Sequence, residues 1–276
     1  MWKIKSILDG MFDLLMWPFR SLDPVWSLLL LSFAAGIVIL VIFRYTSDQK
    51  GIKETKNKVK AHLLEIRIFK DNLAIQFSAQ KRLLFHNLIY MKHAVKPLLF
   101  LIIPVGLLIL QMDSWYGQKP LRPGESTIFS VTLADIAPDN IPTDVSVEAD
   151  EGLMVETPVV RIKETGELNW RVRAKEVGVH QLKVKMGERI FQKNIIVANG
   201  SLTRISPLSV SAGLWKSIFS PGVKSLPKNP LLKEIQVNYP SRSVEFLGFK
   251  IHWLILFFVF TTVIAFAFKN LFKVEI

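Results

Sequence analysis

Residues 25–43 read VWSLLLLSFAAGIVILVIF, nineteen positions without a charged side chain. Wound as a helix, such a run reaches about 28 Å, close to the roughly 30 Å hydrocarbon core of a bilayer. Two further apolar runs follow. Leu98–Met112 is only 15 residues long. It spans if Tyr90–Pro97 extends its helix while Lys92 and Lys96 snorkel, or if the bilayer thins locally. A buried helix of a soluble core is the competing reading, disfavoured by the lysine-rich approach and by Pro104. Ile251–Phe268 carries Thr261 and Thr262 deep in its interior and is bracketed by Lys250 and Lys269. The pattern predicts three membrane-spanning helices.

Half of the 276 residues are apolar, yet 35 Lys and Arg against 23 Asp and Glu leave a net charge of +12. Apolar and basic residues are segregated along the chain, unlike the mixed surface and core of a soluble globule. The absence of cysteine excludes disulfides, thiolate metal sites and cysteine nucleophiles. No repeat or low-complexity tract is visible.

Basic residues in short loops set orientation. Between Arg44 and Pro97 twelve Lys or Arg face four acidic residues, a net +8, whereas residues 1–23 are neutral. The loop is therefore expected in the cytosol, with the N-terminus and residues 113–249 outside and the tail bearing Lys273 inside. A signal peptide fits the N-terminus poorly, because the apolar run starts late and charge rises after it.

Residues 2–19 have helical periodicity, with Ile4, Ile7, Leu8, Met11, Phe12, Leu15 and Phe19 on one face and Lys5, Asp9 and Asp13 opposite. With Trp2 and Trp17 at headgroup level, this reads as a helix lying on the membrane rather than on the protein's own β domain. Pro18 and Leu22-Asp23-Pro24 end it.

In the basic loop, Ile52, Val59, Leu63 and Ile66 form one apolar seam. Leu73, Phe77, Leu84, Leu88, Met91 and Val95 form another. Two seams joined by Lys70-Asp71-Asn72 predict an antiparallel helical hairpin, capped at Asp71 or Asn72. Leu64, Ile68, Phe69, Ile75, Leu83, Phe85 and Ile89 exceed what two helices bury and call for a partner, lipid or another copy. The cations Lys56, Lys58, Lys60, Arg67, Lys81 and Arg82 suit anionic lipid and cytosolic retention. Ribosomal RNA is the alternative contact, with no base-reading motif and hence no sequence-specific nucleic acid.

Residues 121–199 switch to period two, as in Phe129, Val131 and Leu133 or Trp170, Val172 and Ala174. Turns are expected at Pro123-Gly124, Pro138-Asp139, Glu151-Gly152, Thr165-Gly166 and Gly187-Glu188. These predict an antiparallel, immunoglobulin-like sandwich of seven strands. Residues 201–249 hold five prolines and three glycines around Leu214-Trp215, which predicts a membrane-riding loop with short strands at Ile235–Tyr239 and Ser243–Phe246. Asn199-Gly200-Ser201 matches a glycosylation acceptor, a common chance match.

The fold class that follows is an α-helical membrane protein with an inserted all-β sandwich. Its segments are an amphipathic interfacial helix (1–23), a first span (24–44), a cytosolic hairpin (45–96) and a second span (97–112). Then come an extracytoplasmic β-sandwich (113–200), a membrane-proximal segment (201–249), a third span (250–269) and a cytosolic tail (270–276).

Catalysis has little support. The five histidines (62, 86, 93, 180 and 252) lie in unrelated segments, no catalytic motif occurs, and neither a metal nor a cofactor is expected. His62, His86 and His93 are expected on hairpin faces, and His252 beside Trp253 as an interfacial anchor. Ser32, Thr261 and Thr262, with Arg44 at the cytosolic edge, are the candidates for a groove inside the membrane; their bland use is bonding back to the helix or holding helices together.

The order of elements over residues 1–112 and 247–276 resembles the YidC/Oxa/Alb superfamily of membrane-protein insertases, especially its three-span members. It rests on topology and on the Arg44–Pro97 hairpin. The β domain has no counterpart in the minimal family pattern, and Val25–Phe43 lacks the arginine that bacterial members carry in their first core span. The resemblance implies a bacterial inner-membrane protein that accepts hydrophobic client chains at the hairpin and passes them along a groove in a thinned bilayer. An envelope scaffold joining other membrane-protein subunits is the alternative.

Overall fold

Asp23 opens the first long apolar helix by accepting a hydrogen bond from the Val25 amide (2.8 Å), with Pro24 in the first position, where its missing N–H costs nothing. The computed structural model describes residues 2–20, 22–134, 144–200, 202–210 and 232–275, as backbone only at residues 2–5, 8 and 210. Its helices are α1 (Trp2–Met16), a 3-10 turn (Trp17–Phe19), α2 (Pro24–Thr46), α3 (Gln49–Ile68), α4 (Leu73–Tyr116) and α5 (Trp253–Phe268). Helices α2 and α4 are long and apolar enough to cross a membrane; α5 is apolar throughout and shorter, at 16 residues.

The chain forms two compact units. One comprises Leu28–Leu108 and Leu254–Ile276. Here Asp48 caps α3 by accepting from the Gly51 amide (3.0 Å), and Asn72 caps α4 by accepting from the Ile75 amide (3.2 Å). The second hairpin helix and the second apolar run are one continuous α4 of 44 residues, with Pro97 and Pro104 inside it.

The other unit comprises Met1–Ser27 and Ile109–Trp253. Its strands are β1 (Ser126–Leu133), β2 (Val145–Ala149), β3 (Leu153–Val155), β4 (Val160–Ile162), β5 (Glu167–Ala174), β6 (Gly178–Met186), β7 (Arg189–Val197), β8 (Leu208–Val210), β9 (Leu232–Val237), β10 (Val244–Phe246) and β11 (Phe249–Ile251). An antiparallel sheet runs β3-β5-β1-β9-β8, with β4 also on β5; a second runs β2-β6-β7; β10 and β11 form a separate hairpin. Phe129, Val131, Trp170, Val172 and Ile235 from the first sheet and Val184, Phe191 and Ile195 from the second share one core. This is the two-layer arrangement that period-two patterning demands. Gly187, at φ 57°, supplies the left-handed residue of the two-residue β6–β7 turn, where Met186 pairs with Arg189.

The two short strands expected within 201–249 are present as β9 and β10, but β9 is part of the main sheet rather than of a membrane-riding loop. Strand β9 lies between β1 and β8, with Ile235 opposite Val131 and fully buried. Leu232–Val237 alternates inward and outward as a half-buried strand does. The expected turn at Pro138-Asp139, the Leu214-Trp215 stretch, Ser201 of the acceptor motif and the side chains of Trp2, Ile4, Lys5 and Leu8 lie outside the described residues.

Candidate functional site

Helices α2 and α5 meet at Gly36. A methyl group there would stand 3.0 Å from Ile264 Cγ2 and 3.3 Å from the Thr261 carbonyl oxygen, so glycine permits the approach. Phe33 meets Phe268 edge to face at 5.5 Å. Beside this contact lies a cavity of about 280 Å³ lined by Leu40, Phe43, Val105, Phe257, Thr261 and Thr262, among others, and so by residues of α2, α4 and α5. Thr261 is buried and Thr262 exposed. Among the described residues the hydroxyls of Ser32 and Thr261 are buried without a hydrogen-bond partner. Their usual use, bonding back to the helix, is therefore not made here.

Arg44 does not join this cavity. Its Nη1 donates to the carbonyl oxygen of Phe272 (2.9 Å), closing the turn after α5. The tail is held again by Gln49, whose Oε1 accepts from the Glu275 amide (2.7 Å), and by Lys56, whose Nζ reaches Glu275 Oε2 (3.3 Å). Lys56 is thus committed to the chain's own tail, whereas Lys58, Lys60, Arg67 and Lys81 stand exposed. Arg82, also exposed, bonds Glu65 at 2.5 Å.

The second expected seam faces solvent, whereas the first is partly covered, at Ile52, Val59 and Ile66. Leu63, Leu73, Phe77, Leu84, Leu88, Met91 and Val95 are all about half exposed or more, while Ile52, Thr55 and Ala79 are buried. Polar side chains join α3 to α4. The His62 and His86 rings stack at 5.1 Å, Glu65 bonds Arg82, and His93 Nδ1 lies 3.6 Å from Asp48 Oδ2. The hydrogen bond from His62, aided by Arg82, holds the Glu65 carboxyl below its ordinary range against an opposing desolvation. The large apolar residues marked the helix period correctly, but small and polar ones make the contact. A second cavity, of about 620 Å³, lies between the end of α2, the turn before α3 and α4, and is lined by Tyr45, Asp48, Lys92, His93 and Lys96, among others.

In the other unit, α1 turns its acidic face inward. Arg204 Nη1 donates to Asp13 Oδ1 (2.9 Å), and Nη2 donates to Asp9 Oδ1 (2.8 Å) and Gln111 Oε1 (2.7 Å). Phe12 and Met16 are buried, while Ile7, Met11, Leu14, Leu15 and Trp17 form an exposed apolar stripe. The sequence offered both the acidic row and Gln111, but nothing local pointed to Arg204 as their partner.

Lys193 also went unread. It sits on the inward face of β7 between Phe191 and Ile195, buried, its Nζ donating to the Ser206 carbonyl (2.8 Å) and to Ser209 Oγ (2.9 Å). Burial pushes the amine down to about 7. The alternation 191, 193, 195 was the signal. Among the described residues, no group of three His, Asp or Glu could hold a metal ion. No protein-family model, curated protein or solved structure matches the chain.

Proposed function

We propose that this protein is an integral inner-membrane insertase, or insertion chaperone, of the YidC/Oxa/Alb type. On this reading α2, the apolar part of α4 and α5 span the bilayer, the hairpin of α3 and early α4 lies in the cytosol, and an immunoglobulin-like sandwich lies outside. The observation that carries it is the apolar cavity between α2, α4 and α5, with Thr261 and Thr262 in its wall and unpartnered hydroxyls on Ser32 and Thr261. A client segment with polar atoms gains most where hydrogen-bonding groups are already desolvated and unsatisfied. The 16 residues of α5 reach about 24 Å, short of an average bilayer, which favours local thinning and a shorter desolvated path. The apolar stripe of α1 turned away from Arg204 supports a helix lying on the outer leaflet.

The test is client insertion into proteoliposomes. Replacing Ser32, Thr261 and Thr262 together by Leu is expected to impair insertion while the protein stays folded by circular dichroism. Unchanged insertion rejects the groove.

One observation favours the scaffold reading instead: the exposed row Leu84, Leu88, Met91 and Val95 on α4 is the kind of surface that assembly subunits cover. Photocrosslinking from positions 58 and 81 separates the two. Nascent chains or ribosomes follow from the first reading, and a fixed set of subunits from the second.

A further inference from the structure

The β10–β11 hairpin is closed by two residues, Leu247 and Gly248, with Phe246 paired to Phe249. Both turn residues are left-handed, at φ 52° and 83°. Such a turn matches the twist of the flanking strands and is normally made by Asn-Gly or Asp-Gly, because a branched apolar side chain at positive φ is strained. Leu247 is nonetheless 81% exposed and Phe249 70% exposed. A strained, solvent-facing leucine gives the isolated fold nothing, since its burial gain is absent and its backbone cost is present. Its benefit must come from whatever covers it.

We infer that the Leu247–Phe249 tip dips into the bilayer at the level of the lipid headgroups and upper acyl chains. The occupant follows from chain continuity. Phe249 stands four residues before Trp253, where the uncharged helix α5 begins, so the tip is tethered within about 14 Å of that helix start. An apolar residue and an aromatic flanked by Lys250, whose stem can lie along lipid while its ammonium stays in water, is the chemistry of an interfacial anchor. This inference rests on the membrane reading above for α5.

The absence of cysteine makes the test direct. Leu247→Cys and Phe249→Cys, each carrying a nitroxide, are reconstituted in bilayers and their collision rates with oxygen and with a water-soluble nickel chelate compared. Val38→Cys on α2 and Lys163→Cys on the β4–β5 turn serve as apolar and aqueous references. Both tip labels are expected to favour oxygen several-fold over the Lys163 reference. Aqueous behaviour at both tip positions with Val38 immersed overturns the inference and leaves the membrane reading standing. An aqueous Val38 label overturns both. Tip labels that are aqueous in pure bilayers and shielded only in native membranes mean a protein occupant, which also overturns it. Leu247→Asn, which suits the left-handed turn, is expected to raise the melting temperature in detergent while an accompanying Phe249 nitroxide loses immersion; retained immersion argues that Phe249 alone inserts and overturns the role given to Leu247.

Discussion

A single buried amine illustrates how a residue can be legible and still be passed over. In β7 the inward row is Phe191, Lys193, Ile195 and Val197, so the parity that located the core also located Lys193. Its long stem fills core volume and its Nζ donates hydrogen bonds to the Ser206 carbonyl and the Ser209 hydroxyl, but among the described residues no carboxylate is bridged to it to offset desolvation of the charge. The ordinary amine value is 10.5 and the folded value about 7. Between these, the unfolded chain holds a proton that the folded chain does not, so stability rises with pH and the gain disappears as pH falls toward 7. The limiting slope is about 1.4 kcal/mol per pH unit. Lys193→Met is expected to flatten that dependence and to raise stability at pH 7 by roughly 1–3 kcal/mol. Melting curves of both proteins from pH 7 to 10 check it; parallel curves would refute it. Ser32 and Thr261 were nameable from sequence as polar residues in apolar runs, whereas their lack of partners was not, because satisfaction depends on neighbours from other helices.

At the scale of elements, the periodicity of α1, the uninterrupted apolar run of α2 and the alternation of β1, β5 and β6 were all readable, because each rests on local sequence alone. The hairpin shows where that kind of reading stops. Helical period tells which residues share a face, but the face that meets a neighbour was assigned to the largest apolar side chains. The structure joins α3 to α4 through His62 and His86, Glu65 and Arg82, and Asp48 and His93. Helix α1 has a comparable polar attachment. Arg204 sits largely buried between Asp9 and Asp13. Arg204→Ala would remove the guanidinium hydrogen bonds to Asp9, Asp13 and Gln111, and should weaken the docking of α1 by roughly 1–3 kcal/mol. Hydrogen exchange over residues 6–16 measures this; unchanged protection would mean that Phe12 and Met16 hold the helix unaided. Gly36→Leu should push α5 from α2, with loss of thermal stability, since a methyl group already crowds Ile264.

For the whole molecule, the combination of long apolar helices with antiparallel sheets followed from composition and hydropathy, but strand order did not. Sequence spacing cannot say that β9 reaches back across about a hundred residues to flank β1, because pairing is decided by which edges remain open after the local hairpins form. The expected boundary at residue 200 placed one of the sandwich's core strands outside it. Ile235→Ala tests that membership: a fully buried side chain of the shared core should cost about 2–4 kcal/mol when truncated, read as a lower unfolding midpoint of the β domain. An unchanged midpoint would mean that Leu232–Val237 is peripheral to the core.

The position of β9 also constrains how the chain is made. Strand β1 pairs with β5 on one side, but its other edge, from Phe129 to Leu133, waits for Leu232–Val237. At roughly 5–20 residues per second, that edge stays open for about 5–20 s of synthesis. During that interval it is a template for any extended segment nearby. The last part of the sandwich to arrive is tied by a short stretch to α5, so its completion and the delivery of that helix are neighbouring events in time. A defect in either should surface as degradation of a chain arrested at the same point of biogenesis.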